Sequence, residues 1–273
     1  MSLPVPQDPA GAWTGVHLGE RTATWTERDA ILYALSVGAH ADDLDLVYER
    51  RLRVLPTFGL TLAQWAPDVA GANGAFEQST ALHGSQRLEV SAPLPPSGEL
   101  TLSSRVSAVW DKGSAAVFDI EVESRCFTAT WTIFAPGRGG FGGDRGPSTP
   151  RPAPSPEPPL TIDIPTSPDQ AALYRLSGDL HPLHIDPEAA RTAGFDHPIL
   201  HGLATLATTT VGLARALGAH PADLHSTSAR FTAPVTPGDP LTLTAHRTPE
   251  GATYTALIAD RPVLSSATAT FTP

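Results

Sequence analysis

The sequence predicts an α+β fold of two repeats, each an antiparallel sheet wrapped around one long buried helix. Three observations lead there. Ala204–Gly218 is a run of small and apolar residues with one charge, Arg215, which suits a helix buried on nearly every side rather than an amphipathic surface helix. Alternating runs bounded by turn residues fill both halves of the chain, as half-buried antiparallel strands do. Residues 137–159 divide the halves, since Gly137-Arg138-Gly139-Gly140-Phe141-Gly142-Gly143 leads into seven prolines from Pro147 to Pro159. Such a stretch reads as a loop and a semi-rigid linker, not core. A phosphate-cradling glycine loop normally opens a helix, and prolines follow here instead.

In chain order, helical signals at 27–38 and 57–66 precede strands near 86–92, 99–110, 114–124 and 126–135. Asp111-Lys112-Gly113 between two alternating runs is a strong hairpin turn. After the linker, from about Leu160, comes a proline-containing loop, and then Ile199-Leu200-His201-Gly202-Leu203 leads into the buried helix, which Gly218 stops. Strand-like runs at 225–235, 240–247, 252–260 and 262–271, with turns at Pro237-Gly238-Asp239 and Pro249-Glu250-Gly251, predict an antiparallel meander. A helix wrapped this way is the hot-dog arrangement, and two in one chain make an internal pseudo-dimer. The expected division is a first repeat over 1–138, a Gly/Pro-rich linker over 139–159 and a second repeat over 160–273. Tyr33-Ala34-Leu35-Ser36 aligns with Tyr174-Arg175-Leu176-Ser177, and Pro56-Thr57-Phe58-Gly59-Leu60 with Ile199–Leu203. The first copy lacks the acidic and basic loop residues of the second, so the second half is expected to hold the chemistry and the first to shape a cavity.

Composition bounds the function. A chain of 273 residues with 41% apolar residues can bury a sizeable core. It has no apolar run of roughly eighteen residues, so no spanning helix is expected. Met1–Pro6 has neither a basic nor an apolar region of a signal peptide, and Thr270–Pro273 is not a recognisable targeting address. Cys126 is the single cysteine, which excludes an internal disulfide and makes a reducing cytoplasm the simplest compartment; its flanks predict a buried strand thiol. A net charge of −10 argues against nucleic acid as a partner. Lys112 is the only lysine, and Arg50, Arg51 and Arg53 form the densest basic cluster, read as a solvated strand edge.

The most informative segment is Tyr174-Arg175-Leu176-Ser177-Gly178-Asp179-Leu180-His181-Pro182-Leu183-His184-Ile185-Asp186-Pro187. Pro182 removes a donor and biases His181 away from helical geometry. Asp179 and His184 are therefore expected on a loop that aims an acid and a base at one point. Asp179, His181, His184 and Asp186 could also be read as metal ligands, but Pro182 disrupts helical spacing and no cysteine assists. Asp186-Pro187-Glu188 resembles a helix start with Asp186 as cap. His201 is expected to support the start of the buried helix.

These residues resemble the (R)-specific enoyl-CoA hydratases, the hydratase 2 or MaoC-like dehydratase family, whose motif is Tyr-x-Leu-Ser-Gly-Asp-x-Asn-Pro-Leu-His. The likeness extends to Ala193–Gly202, Ala229-Arg230-Phe231 and Pro234–Gly238, and in the first half to Leu55–Gly59, Leu82-His83-Gly84 and Asp111–Ser114. It covers nearly the whole chain and includes the hydratase unit of the peroxisomal multifunctional β-oxidation enzyme. One departure stands out, because His181 replaces the motif asparagine, which the resemblance assigns to orienting substrate or water. An imidazole can donate one hydrogen bond and accept another, so that role can survive with altered geometry and pH dependence.

The resemblance implies reversible hydration of a trans-2-enoyl-CoA to a (3R)-3-hydroxyacyl-CoA. His184 is the better candidate to deprotonate water, with Asp179 holding or delivering the proton for C2. The N–H of Gly202, at a helix start, is an expected oxyanion donor. Substrate contacts carry over to His83, Gly84, Lys112 and Phe231, together with Leu180, His181, Pro182 and Leu183 of the motif. The resemblance also favours a homodimer, and hydration implies no metal, nucleotide or flavin. A hot-dog thioesterase, or an acyl-thioester binding module whose site has drifted at His181, are the alternatives.

Overall fold

A computed structural model describes residues 9–147 and 158–272; Met1–Pro6, the prolines at 150–156 and Pro273 lie outside them. The first half contributes strands β1 (His17–Trp25), β2 (Leu82–Val90), β3 (Gly98–Asp111), β4 (Ala115–Glu123) and β5 (Phe127–Pro136). The second contributes β6 (Leu160–Ile164), β7 (Leu224–Phe231), β8 (Leu241–Thr248), β9 (Gly251–Ile258) and β10 (Arg261–Phe271). Alternation drives them: along β5, Phe127, Ala129, Trp131, Ile133 and Ala135 are buried while the intervening threonines are only half-buried.

The ten strands form one continuous antiparallel sheet in the order β1-β3-β4-β5-β2-β7-β10-β9-β8-β6. The two halves repeat the same order and meet at β2 and β7, paired from Ser85↔Arg230 to Glu89↔Ser226. This is the double hot-dog. The expected four-strand meander is corrected, because β8, β9 and β10 are consecutive neighbours but β7 pairs with β10, not β8. β7 sits at the seam with β2, so its chain must cross over before β8. Strands β1 and β6 had no expected counterpart; they add one edge strand to each half.

The helices are α1 (Glu27–Ser36), α2 (Leu44–Val47), α3 (Phe58–Ala63), α4 (Trp65–Ala72), α5 (Gln170–Tyr174), α6 (Pro187–Thr192) and α7 (Gly202–Leu217). Thr26 and Asp29 close a capping box on α1. α7 is the long buried helix of the second half, and Gly212 lets Ile164 of β6 lie against its backbone. Its counterpart in the first half is not one helix but α3 and α4, joined at Gln64. Pro67 explains the break: its ring would meet the Ala63 carbonyl and it offers no N–H to it.

Besides the β2–β7 ladder, side-chain ties among the described residues cross between the halves: Arg215 to Asp43 and the Gly38 carbonyl, His220 to Asp45, and Arg53 to Asp223. The arginine cluster is thus corrected, since Glu49–Arg51 is a 3-10 turn rather than a strand edge and Arg53 reaches the other half. Cys126 is buried in the turn just before β5. Beyond the β3–β4 hairpin, the Asp111 carboxylate accepts N–H groups from Gly113, Gly140 and Gly142 and thereby fastens the glycine loop.

Candidate active site

The loop between α5 and α6 is held by its own side chains. Gly178 turns it at φ +128°, a conformation in which other residues are strained. Oδ1 of Asp179 accepts the His181 N–H at 3.2 Å, and Nδ1 of His181 accepts the Leu183 N–H at 3.2 Å. Pro182 opens the 3-10 turn Pro182–His184, where a missing donor costs nothing. Asp186 caps α6 through the Glu188 N–H, with Pro187 in the first helical position. Leu180 and Ile185 leave their side chains exposed.

His184 has a defined tautomer. Its Nδ1–H donates to the Ile199 carbonyl at 2.8 Å; a carbonyl only accepts, so Nε2 carries the free lone pair. Burial lowers its pKa, and this outweighs the opposing pull of the Ile199 carbonyl and Asp179; proximity to His181 adds to the lowering. The ring is therefore neutral near pH 7, the form a general base requires.

His201 lies on the other side of His184, with ring centroids 3.7 Å apart and planes at 24°. Its Nε2–H donates to the Asp179 carbonyl at 3.2 Å. His201 stands at the N-cap of α7, where its carbonyl accepts the Thr205 N–H that opens the helix; its side chain makes no cap bond and turns to Asp179 and His184 instead. Burial, and then the neighbouring His184, push its pKa down to about 4. Ligand atoms of Asp179, His184 and His201 all lie within 4.8 Å of one another.

Gly202 begins α7, and its N–H precedes the first bond of the helix, from the Thr205 N–H to the His201 carbonyl. A β-carbon on Gly202 would stand 3.1 Å from the Phe231 ring, tighter than an ordinary contact, so a larger residue here requires Phe231 to give way. Phe231 ends β7 at the seam, and His83 of β2 packs on it with ring centroids 4.6 Å apart. Burial lowers the pKa of His83 to about 4, against weaker opposing effects that include the charge of Asp179. Gly84 sits at a register shift in β2, 3.3 Å (from its would-be β-carbon) beneath the Thr132 carbonyl.

The fold thus gathers Asp179, His181, Leu183, His184, Gly202, Phe231 and His83 around one loop and one helix start. Lys112 is different. It stands at the β3–β4 hairpin with its ammonium on the Arg145 carbonyl, and among the described residues no hydrogen bond or ion pair joins it to the motif loop. The sequence reading missed Asp68 of α4. Its side chain keeps an exposed edge, yet its pKa is raised, first by partial desolvation and then by the charge of Asp179. No local motif marks it, because it reaches the site only through the bend between α3 and α4.

Two domain families account for most of the chain. Residues 24–135 match the MFE-2 hydratase 2 N-terminal domain, and residues 151–254 match the MaoC like domain. The enoyl-CoA hydratase ChsH3 of Mycobacterium tuberculosis is 40% identical over 245 residues, 84% of this chain and 86% of that one. The peroxisomal multifunctional enzyme type 2 of Mus musculus is 38% identical over 83% of this chain, which spans 33% of that longer protein. A MaoC-like dehydratase from Phytophthora capsici superposes with a TM-score of 0.85 at 27% identity, covering 97% of this chain and 98% of the other. With both domain families in order and relatives of this length and identity, the chain belongs to the MaoC-like dehydratase and hydratase 2 family.

Proposed function

We propose that this chain catalyses the reversible hydration of a trans-2-enoyl-CoA to a (3R)-3-hydroxyacyl-CoA, with Asp179, His184 and Gly202 as its catalytic groups. The observation that carries the reading is the free lone pair of a neutral His184 beside the Asp179 carboxylate, at the N-terminus of α7. Nε2 of His184 takes a proton from water as its oxygen bonds to C3. The C2–C3 π electrons move toward the thioester, whose oxygen gains negative charge and accepts the Gly202 N–H. The enolate then returns its electrons to C2, which takes a proton from the Asp179–His184 pair. Losing one such oxyanion donor costs about 3 kcal/mol of barrier, or roughly a hundredfold. Dehydration runs the same steps backwards.

In this reading residues 160–273 carry the chemistry and residues 1–138 shape the acyl cavity, with His83 and Gly84 lending a wall at the seam. Leu180, His181, Pro182 and Leu183 line the substrate. Lys112 contacts substrate only if a ligand draws it from the Arg145 carbonyl, and a CoA phosphate has the charge to do so. A homodimer and a reducing cytoplasmic setting complete the proposal; the family resemblance supports the first, and a buried lone Cys126 is compatible with the second.

The test follows loss of enoyl-thioester absorbance with crotonyl-CoA and a longer trans-2-enoyl-CoA, then resolves the product on a chiral column. Formation of (3R)-3-hydroxyacyl-CoA, abolished in Asp179→Ala and His184→Ala, is the expected result. Release of free CoA would replace this reading with a thioesterase, and tight binding without turnover would replace it with a binding module.

A further inference from the structure

The imidazole of His201 is buried with only one of its nitrogens partnered. Nε2–H reaches the Asp179 carbonyl, while Nδ1 is buried without a hydrogen-bond partner among the described residues. Burying a bare polar nitrogen is costly, and an apolar ring would fill the same space without that penalty. Helix capping does not account for the residue either, because its side chain makes no cap bond. What it does touch is the acid–base pair, from two directions at once. Its face lies on the ring of His184 at 3.7 Å, and its edge holds the main chain of Asp179.

Behind His201 stands a column of rings. Tyr174 packs on it at 4.8 Å, Tyr33 of the first half packs on Tyr174 at 5.9 Å, and Phe58 of α3 backs Tyr33 at 5.3 Å. Tyr33 and Tyr174 are fully buried. His184 therefore leans on a stack that begins in the other repeat, and His201 is the one member that also grips Asp179.

We propose that His201 is a positioning residue for the reaction: its stack on His184 and its hydrogen bond to Asp179 together set the angle between the two acid–base groups. This rests on the hydratase reading for its effect on turnover, but not for its effect on His184. The charged and titratable groups around this pair are Asp179, His181 and Arg175, with Tyr174 behind. The buried His201 ring also shields one face of His184 from water.

Two substitutions separate the contacts. His201→Phe keeps a ring between Tyr174 and His184 but deletes the donor to Asp179. The expected result is a kcat lower by about tenfold to a hundredfold, the range for a misplaced catalytic group, with KM within about twofold and the acid limb of the pH profile unmoved. His201→Gln retains an N–H for the Asp179 carbonyl but removes the plate, so water reaches His184 and the acid limb moves up toward the ordinary imidazole range. The His184 titration, followed by imidazole NMR without substrate, should move in His201→Gln and hold in His201→Phe. If wild-type protein turns over no enoyl-CoA, the hydratase reading fails, while the NMR titration still judges the contact. Wild-type kcat and an unmoved titration in both folded variants would overturn the proposal, as would parallel losses of melting temperature and activity with no shift in the His184 titration.

Discussion

Replacing His181 with asparagine isolates the one motif position at which this chain departs from its family. The His181 and His184 rings are 6.1 Å apart, so a proton on His181 places a positive charge beside the proposed base. Two unit charges at 6.1 Å repel by about 0.7 kcal/mol at the dielectric of water and by about 2.7 kcal/mol at an effective dielectric of 20. His181 is exposed, which selects the lower figure. That corresponds to about 0.5 pH unit in the titration of His184. A charged His181 disfavours protonation of His184, so removing it raises the pKa of the base. The acid limb of kcat/KM should therefore move to higher pH by up to about 0.5 unit in His181→Asn at low ionic strength. The shift should shrink near 1 M salt, where the Debye length falls to about 3 Å. Activity near pH 8 should stay within about threefold, because an asparagine oxygen can still accept the Leu183 N–H that Nδ1 accepts now. His181→Ala should lose that cap, at about 1 kcal/mol of local stability. The assay is the pH dependence of enoyl-CoA hydration at two salt concentrations. A limb that stays fixed at low salt, or moves to lower pH, would refute the electrostatic reasoning.

Asp179→Asn and His184→Gln should each lower kcat by about 10²–10⁴-fold while the melting temperature holds, measured by initial rates and thermal scans. Gly202→Ala sets a methyl against Phe231 at 3.1 Å, where the substrate oxygen needs close approach; kcat should fall about a hundredfold, and Phe231→Leu in the same chain should relieve the clash but not restore the rate. His83 and His201 are held neutral by burial, with pKa values about 4. An unfolded histidine takes up its proton near pH 6.5, before the folded one does, so their stabilising effect is lost as pH falls from there toward 4. Urea unfolding should show a loss of roughly 2 kcal/mol per ring between about pH 7 and pH 5, and His83→Asn should lessen it; equal stability at the two pH values would contradict the burial argument.

The parts of this fold that were legible in the sequence are those whose signal is local. α7 announced itself by apolar residues on nearly every side, the β3–β4 hairpin by Asp111-Lys112-Gly113, and the α6 start by Asp186-Pro187. Strand neighbours were not legible, because alternation marks a strand but does not say which edge it meets. The β7–β10 pairing is of that kind. The bend at Gln64 was visible only as Pro67, three residues on, and its effect on Asp68 depends on tertiary packing. In the site, Asp179 and His184 stood out because proline and glycine fix the loop between two helices. His201 did not, since a histidine before a helix start is an ordinary sight. Its stacking partner is 17 residues away in sequence, from 184 to 201, and only the fold brings the rings together. The aligned tyrosines Tyr33 and Tyr174 did carry a hint, for the two rings pack on each other across the repeats.

The β2–β7 seam has a consequence for stoichiometry. Were the two repeats separate chains, the His83–Phe231 wall would assemble only above some protomer concentration, and dilution would dismantle it. Here a single covalent chain supplies both partners, so the second repeat meets the first at an effective concentration in the millimolar range or above, however dilute the protein. The gathered residues Asp179, His184, Gly202, Phe231 and His83 all belong to one chain. Any association between whole molecules is thereby released from the task of building the site.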